Sequence, residues 1–108
     1  MQKLVESFIA TANAFDVEGA LSLFAPDAVI DDVSVGDTFV GRDGVRQYLE
    51  RFFVGYNTAS KMLSIEELDS VQSYVRLDFT GDFGHEIGIL KVAINRDGLI
   101  ECIDADLE

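Results

Sequence analysis

The hydrophobic pattern of this chain changes period once, and that change decides the kind of fold it can adopt. Up to residue 53 apolar residues recur every three or four positions; beyond residue 61 they recur every second position. Leu4, Val5, Phe8, Ile9, Ala12 and Phe15 share one face of a helix over about residues 3–15. Asp16 has the chemistry of an N-cap. Val17, Ala20, Leu21 and Phe24 then give a short second helix, which Pro26 stops. Ala28 to Asp32 reads as a strand, and Val33 to Val40 as a loop. A third helix opens at Gly41-Arg42-Asp43-Gly44, carries Val45, Tyr48, Leu49, Phe52 and Phe53 on its apolar face, and ends at Gly55 and Asn57.

In the second half, Val75, Leu77 and Phe79 lie on one face of a strand and Tyr74, Arg76 and Asp78 on the other. The turn signals Thr80-Gly81-Asp82 and Asn95-Arg96-Asp97-Gly98 divide it into strands at about 61–69, 72–80, 85–95 and 99–107. Helices first and an antiparallel meander after them predict an α+β fold, three N-terminal helices packed on one face of a curved sheet. No linker or repeat interrupts the 108 residues, so residues 1–108 are expected to form one domain.

Composition narrows the partners. Twenty acids against eight Lys and Arg give a formal charge of −12. Nucleic acid and anionic membrane both need a basic surface, which this chain lacks. No run of ~18 apolar residues is present to span a bilayer. The opening stretch has an early acid and a helical period, unlike a secretion signal, so cytoplasm is the default expectation. Cys102 is the single cysteine, read as a packed or sheet-face residue, and leaves no internal disulfide or cysteine zinc cluster.

The order helix, short helix, "LFAPDAVIDD", loop, "GRDGVRQYL" helix and long antiparallel strands resembles the NTF2-like superfamily, and within it the SnoaL-like and ketosteroid-isomerase-like branch. The similarity runs over nearly the whole chain. It implies a cone whose sheet wraps the helices around an apolar pocket. It does not imply one activity, because this fold hosts isomerases, cyclases, dehydratases, epoxide hydrolases and non-catalytic modules. In the isomerases a carboxylate ending the first strand moves a proton beside a ketone, and that position matches Asp32. The tyrosine that holds the enolate oxygen matches Phe8. Two supporting tyrosines match Phe24 and Leu49, and the second oxyanion donor, an acid on a late strand, matches Leu90. An oxyanion donor contributes about 3–4 kcal/mol to such catalysis. Without those donors the resemblance does not extend to steroid isomerisation.

Strand parity sends Asp32 into the cone and its neighbour Asp31 outward. Asp32 is therefore a candidate acid/base or polar anchor; the competing role is a strand-end acid that ties down the Val33–Val40 loop through backbone N–H groups. Parity also places Val75, Leu77, Phe79, Glu86, Gly88, Leu90, Val92, Ile103, Ala105 and Leu107 on the inner face. Glu86 is its one charged member, a second acid near the mouth or a half-solvated strand start. Phe8, Phe24, Tyr48, Phe52, Leu77, Phe79, Leu90 and Ile103 are the expected pocket wall, with Tyr48 offering either a hydroxyl to a ligand or a ring to the core. Arg42 and Arg46 stand near the first-strand acids, to clamp an anion or, more simply, to pair with Asp31 and Asp32. His85 has outer parity, and no spacing around it suggests a metal site. Neither an organic cofactor nor a metal is implied.

The outer face combines Tyr74, Arg76, Ile87, Ile89, Lys91 and Ile100, more apolar than a solvated face requires. A homodimer through that face is expected. Two functions remain: a small-molecule enzyme using Asp32 for proton transfer, of isomerase, cyclase or dehydratase type, or a non-catalytic binding or assembly module whose cone is filled. Transport into the nucleus, the role of the superfamily's namesake, has no specific support.

Overall fold

A computed structural model describes residues 1–108. Helix α1 (Gln2–Asn13) buries Val5, Phe8 and Ala12. Helix α2 (Val17–Leu21) is capped by Asp16, whose carboxylate accepts from Gly19 N at 2.9 Å. Helix α3 (Gly41–Leu49) runs on as a π-helical turn, Glu50–Val54. The strands are β1 (Phe24–Asp32), β2 (Asp37–Val40), β3 (Ala59–Glu67), β4 (Gln72–Gly81), β5 (Gly84–Ile94) and β6 (Ile100–Leu107). They form one mixed sheet in the order β2-β1-β6-β5-β4-β3, antiparallel except for β1 beside β6. The α+β architecture is thus the one the period change predicts. No helix is long and apolar enough to cross a membrane.

Three local readings need correction. The second helix ends at Leu21, and Phe24 and Pro26 belong to β1. Between Phe24 and Val29 the register against β6 slips, which accommodates a proline that has no N–H for the ladder. The segment after Asp32 is no loop throughout: Asp37–Val40 returns as β2, pairing Asp32 with Asp37 and Val29 with Val40. Ile100 is not on the outer face but in the core at 1% exposure. On β6 two steps, Ile100 to Cys102, oppose the single step Ile94 to Ala93 on β5. That bulge resets the alternation, so Ile100 and Ile103 both point inward.

On β4, on β5 and on β6 beyond the bulge, alternation holds. Val75, Leu77, Leu90, Val92 and Ala105 are buried against the helices, and Tyr74, Lys91 and Asp104 are exposed. Gly88 is buried opposite Leu77, and a side chain there would overlap the ring of Phe79. The glycine is the space in which that ring lies.

Candidate functional site

A cavity opens toward one end of the sheet. The cavity there has a volume of ≈ 350 Å³. It is reached by the end of β1 (Asp32), the ends of β4 and β6 (Phe79 and Leu107), and the start of β5 (Glu86). The helical side supplies Tyr48 from α3 and Phe52 and Phe53 from the π turn. In that turn Gly55 N reaches back to Glu50 O at 2.8 Å. Such widened turns recur at functional sites. Thr58 satisfies the carbonyls the turn releases: its Oγ1 donates to Phe52 O at 2.6 Å and its N to Phe53 O at 2.9 Å.

Asp32 is 6% exposed and Asp31 is exposed, as the alternation along β1 requires. Asp32 is held from two sides. Its Oδ1 accepts from Ser34 N at 3.0 Å and Ser34 Oγ at 2.5 Å, and its Oδ2 accepts from Tyr48 Oη at 2.5 Å. Asp32 thus pins the turn at Ser34, and it also lines the cavity. A carboxylate has about four acceptor positions, and three are used. Tyr48 offers its hydroxyl to Asp32 while its ring packs 5.0 Å from both Phe39 and Phe52. Burial above all, then the hydrogen bond to Asp32 and its charge, push the Tyr48 phenol well above the usual tyrosine value of 10.0.

Three of the eight expected wall residues border the cavity. Tyr48, Phe52 and Phe79 line the cavity, with Asp32 and Glu86. Phe8, Phe24, Leu77, Leu90 and Ile103 do not; they are packed in the core at 1–6% exposure. Phe8 meets Phe24 edge-on at 5.7 Å and Phe53 at 6.2 Å, so aromatic packing closes that part of the cone. Arg46 does not pair with the first-strand acids. It bonds Glu18 of α2, and the charge of Arg42 also bears on Glu18; both arginines depress that carboxyl. Asp31 instead accepts from Thr38 Oγ1 at 3.3 Å across the β1–β2 hairpin. His85 is exposed beside Asp78, 2.8 Å away. No three His, Cys, Asp or Glu side chains stand together as a metal would need.

Ser34, Val35, Phe53, Tyr56, Thr58 and Phe83 also line the cavity and were not foreseen as its wall. Most come from turns, where periodicity carries no information. The nearest signals are the Asp-x-Ser spacing of an Asx turn at residue 32 and the aromatic residues beside the Gly55 and Gly84 turns.

The profile of the SnoaL-like domain family matches residues 5–91. The chain belongs to the SnoaL-like family. No curated protein matches it in sequence. Among solved structures it is similar to SalBIII, described as an epoxide hydrolase/cyclase-like enzyme of pyran ring formation in salinomycin (18% identity, 99% of this chain and 89% of the other, TM-score 0.85). It is also similar to an NTF2-like protein of unknown function from Cytophaga hutchinsonii (11%, 99% and 88%, TM-score 0.83). A third is Rv0760c of Mycobacterium tuberculosis, solved with estradiol-17β-hemisuccinate (19%, 96% and 90%, TM-score 0.81). At such identities the likeness is one of fold, and it gives the SnoaL-like chain its NTF2-like architecture.

Proposed function

We propose that this SnoaL-like chain binds a small hydrophobic ligand in its cavity and exchanges a proton with it through Asp32, in cofactor-free isomerisation, cyclisation or elimination chemistry. The observation that carries the reading is a buried carboxylate with one unused acceptor position on the wall of a ≈ 350 Å³ cavity. That volume lies within the range of small-molecule sites, roughly 300–1,000 Å³. Tyr48 and Ser34 fix the Asp32 rotamer, so a ligand C–H or O–H meets an oxygen that is already in place. SalBIII is named for pyran ring formation and Rv0760c was solved with an estradiol ester, which supports a cyclic, mainly apolar ligand.

The test is α-proton exchange. A hydrophobic cyclic ketone is incubated with the protein in D2O and deuteration is followed by NMR. Asp32→Asn is expected to slow exchange by about 100- to 10,000-fold, the usual weight of a general base. An unchanged rate ends the claim.

A second reading, a binding or assembly module without turnover, is favoured by one observation. Phe8 and Leu90 occupy the expected oxyanion-donor positions, and both are buried in the core. A ketone that binds without exchanging deuterium would select this reading. In either case we propose a homodimer through the outer sheet face, where Ile87 and Ile89 are half-buried beside exposed Tyr74 and Lys91, with Arg76 opposite Ile89. Light scattering at micromolar concentration is expected to give twice the mass of 11.9 kDa; the monomer mass would exclude the dimer.

A further inference from the structure

We infer that the cavity mouth selects ligands bearing a protonated amine over neutral or anionic ligands of the same shape. This rests on the cavity reading above and adds the class of ligand.

The polar groups of the wall are nearly all acceptors. Asp32 and Glu86 line it, and none of the twelve lining residues is Lys, Arg or His. The hydroxyl protons are mostly spent within the protein. Ser34 and Tyr48 each donate to Asp32 at 2.5 Å, and Thr58 donates to Phe52 O at 2.6 Å. Only the Tyr56 hydroxyl lacks a side-chain or backbone acceptor. Apart from that one hydroxyl, the donors must come from the ligand. An anion would meet two carboxylates with no cation between them, at a cost that grows as water is excluded.

The mouth adds attraction. Tyr56 stands 6.1 Å from Phe52, tilted by 47°, and 6.1 Å from Phe83 at 80°. Three successive non-parallel rings form a concave aromatic wall, and ring faces carry the negative charge that holds ammonium groups. Tyr56 and Phe83 are 42% and 40% exposed, so both rings are accessible to a ligand. Arg51 already lies 4.9 Å from the Phe52 ring centre, without lining the cavity itself. Glu86, exposed on the same rim, has no ion-pair partner. Arg46 and Arg76 are engaged elsewhere, by Glu18 and Glu108, and His85 faces Asp78.

The experiment is calorimetric titration at neutral pH and moderate salt with 4-phenylbutylammonium, 4-phenylbutanol and 4-phenylbutyrate. The ammonium is expected to bind about tenfold more tightly than the carboxylate and about threefold more tightly than the alcohol. Glu86→Gln and the pair Tyr56→Leu/Phe83→Leu should each bring the ammonium-to-alcohol ratio toward one. Equal affinity for alcohol or carboxylate overturns the inference while leaving the cavity reading intact. A ratio unchanged in the variants also overturns it, because the preference would then come from the overall charge. Failure of all three probes to bind removes the cavity reading itself. Glu86 is exposed, so its variant decides the matter if the aromatic pair does not fold.

Discussion

In the closed part of the cone, Phe8 packs edge-on against Phe24 at 5.7 Å and shares a buried cluster with Leu77, Leu90 and Ile103. In the open part, Phe52 stands 5.0 Å from Tyr48 and 6.1 Å from Tyr56, yet all three face a cavity of ≈ 350 Å³. Both regions use aromatic rings at similar spacing. What separates them is position along the strands. In the closed part Leu77, Leu90 and Ile103 come from strand middles, covered by helices on one side and flanked by neighbouring strands, with Phe24 at the start of β1 beside them. The open part is built from strand ends and turns, where the helical cover runs out. Asp32, Glu86, Ser34 and Thr58 lie at the open end, whereas the buried Ser60 and Ser73 do not line the cavity. The closed part supplies the rigidity that lets the open part remain unfilled.

The strongest way to break this comparison is to truncate one ring from each part. Phe8→Ala should cost about 3–5 kcal/mol, because a fully packed ring leaves a cavity behind. Phe83→Ala should cost about 1 kcal/mol or less, since that ring is 40% exposed and already borders empty space. Denaturant midpoints at constant slope measure both. Equal losses would mean that the two parts carry the core alike.

How much of this division was legible in advance depends on which link of the chain is asked. The period change at residue 61 located the helices and the four long strands, because burial on one face imposes a period on the sequence. Strand β2 escaped it, being four residues long with only Phe39 buried. Ile100 escaped it because a bulge resets parity, and alternation cannot report a bulge. For the site, parity separated Asp32 from Asp31 correctly and put Phe79, Glu86 and Leu107 on the same face as Leu77, Leu90 and Ile103. It could not say which of those line a void. Parity reports the face of a sheet and is silent on distance from its end, which here decides between wall and core. Phe79, Glu86 and Leu107 lie near strand ends, whereas Leu77, Leu90 and Ile103 lie further in.

The Tyr48–Asp32 bond sharpens the comparison, because it places a buried polar pair at the border of the two parts. Tyr48→Phe keeps the ring in the core and removes the donor. The expected cost is about 1.5–3 kcal/mol, the weight of a hydrogen bond to a charged group, with the two Ser34 donors remaining on Asp32. The pH dependence follows from the raised phenol. Its folded pKa lies above the unfolded value of about 10, so the contribution is whole below about pH 10 and is lost as pH rises from there toward the folded value. Stability of the wild type should therefore fall on the alkaline side, and Tyr48→Phe should flatten that limb. A limb of the same steepness in both proteins would place the alkaline loss elsewhere.

A comparably small effect is expected at Gly88, and it discriminates best between filled and open space. A Cβ there would overlap the Phe79 ring, with Cδ2 at 2.8 Å. The obstacle is the far end of a side chain rather than backbone, so the ring can yield. Phe79 borders the cavity, and a rotation toward that side relieves the overlap without disturbing the strands. Gly88→Ala should thus cost only about 1 kcal/mol, while a cavity ligand loses affinity as the ring takes up its space. Should the stability loss instead exceed about 3 kcal/mol with ligand affinity unchanged, Phe79 would be locked into the core and the boundary between the two parts would lie further toward the mouth.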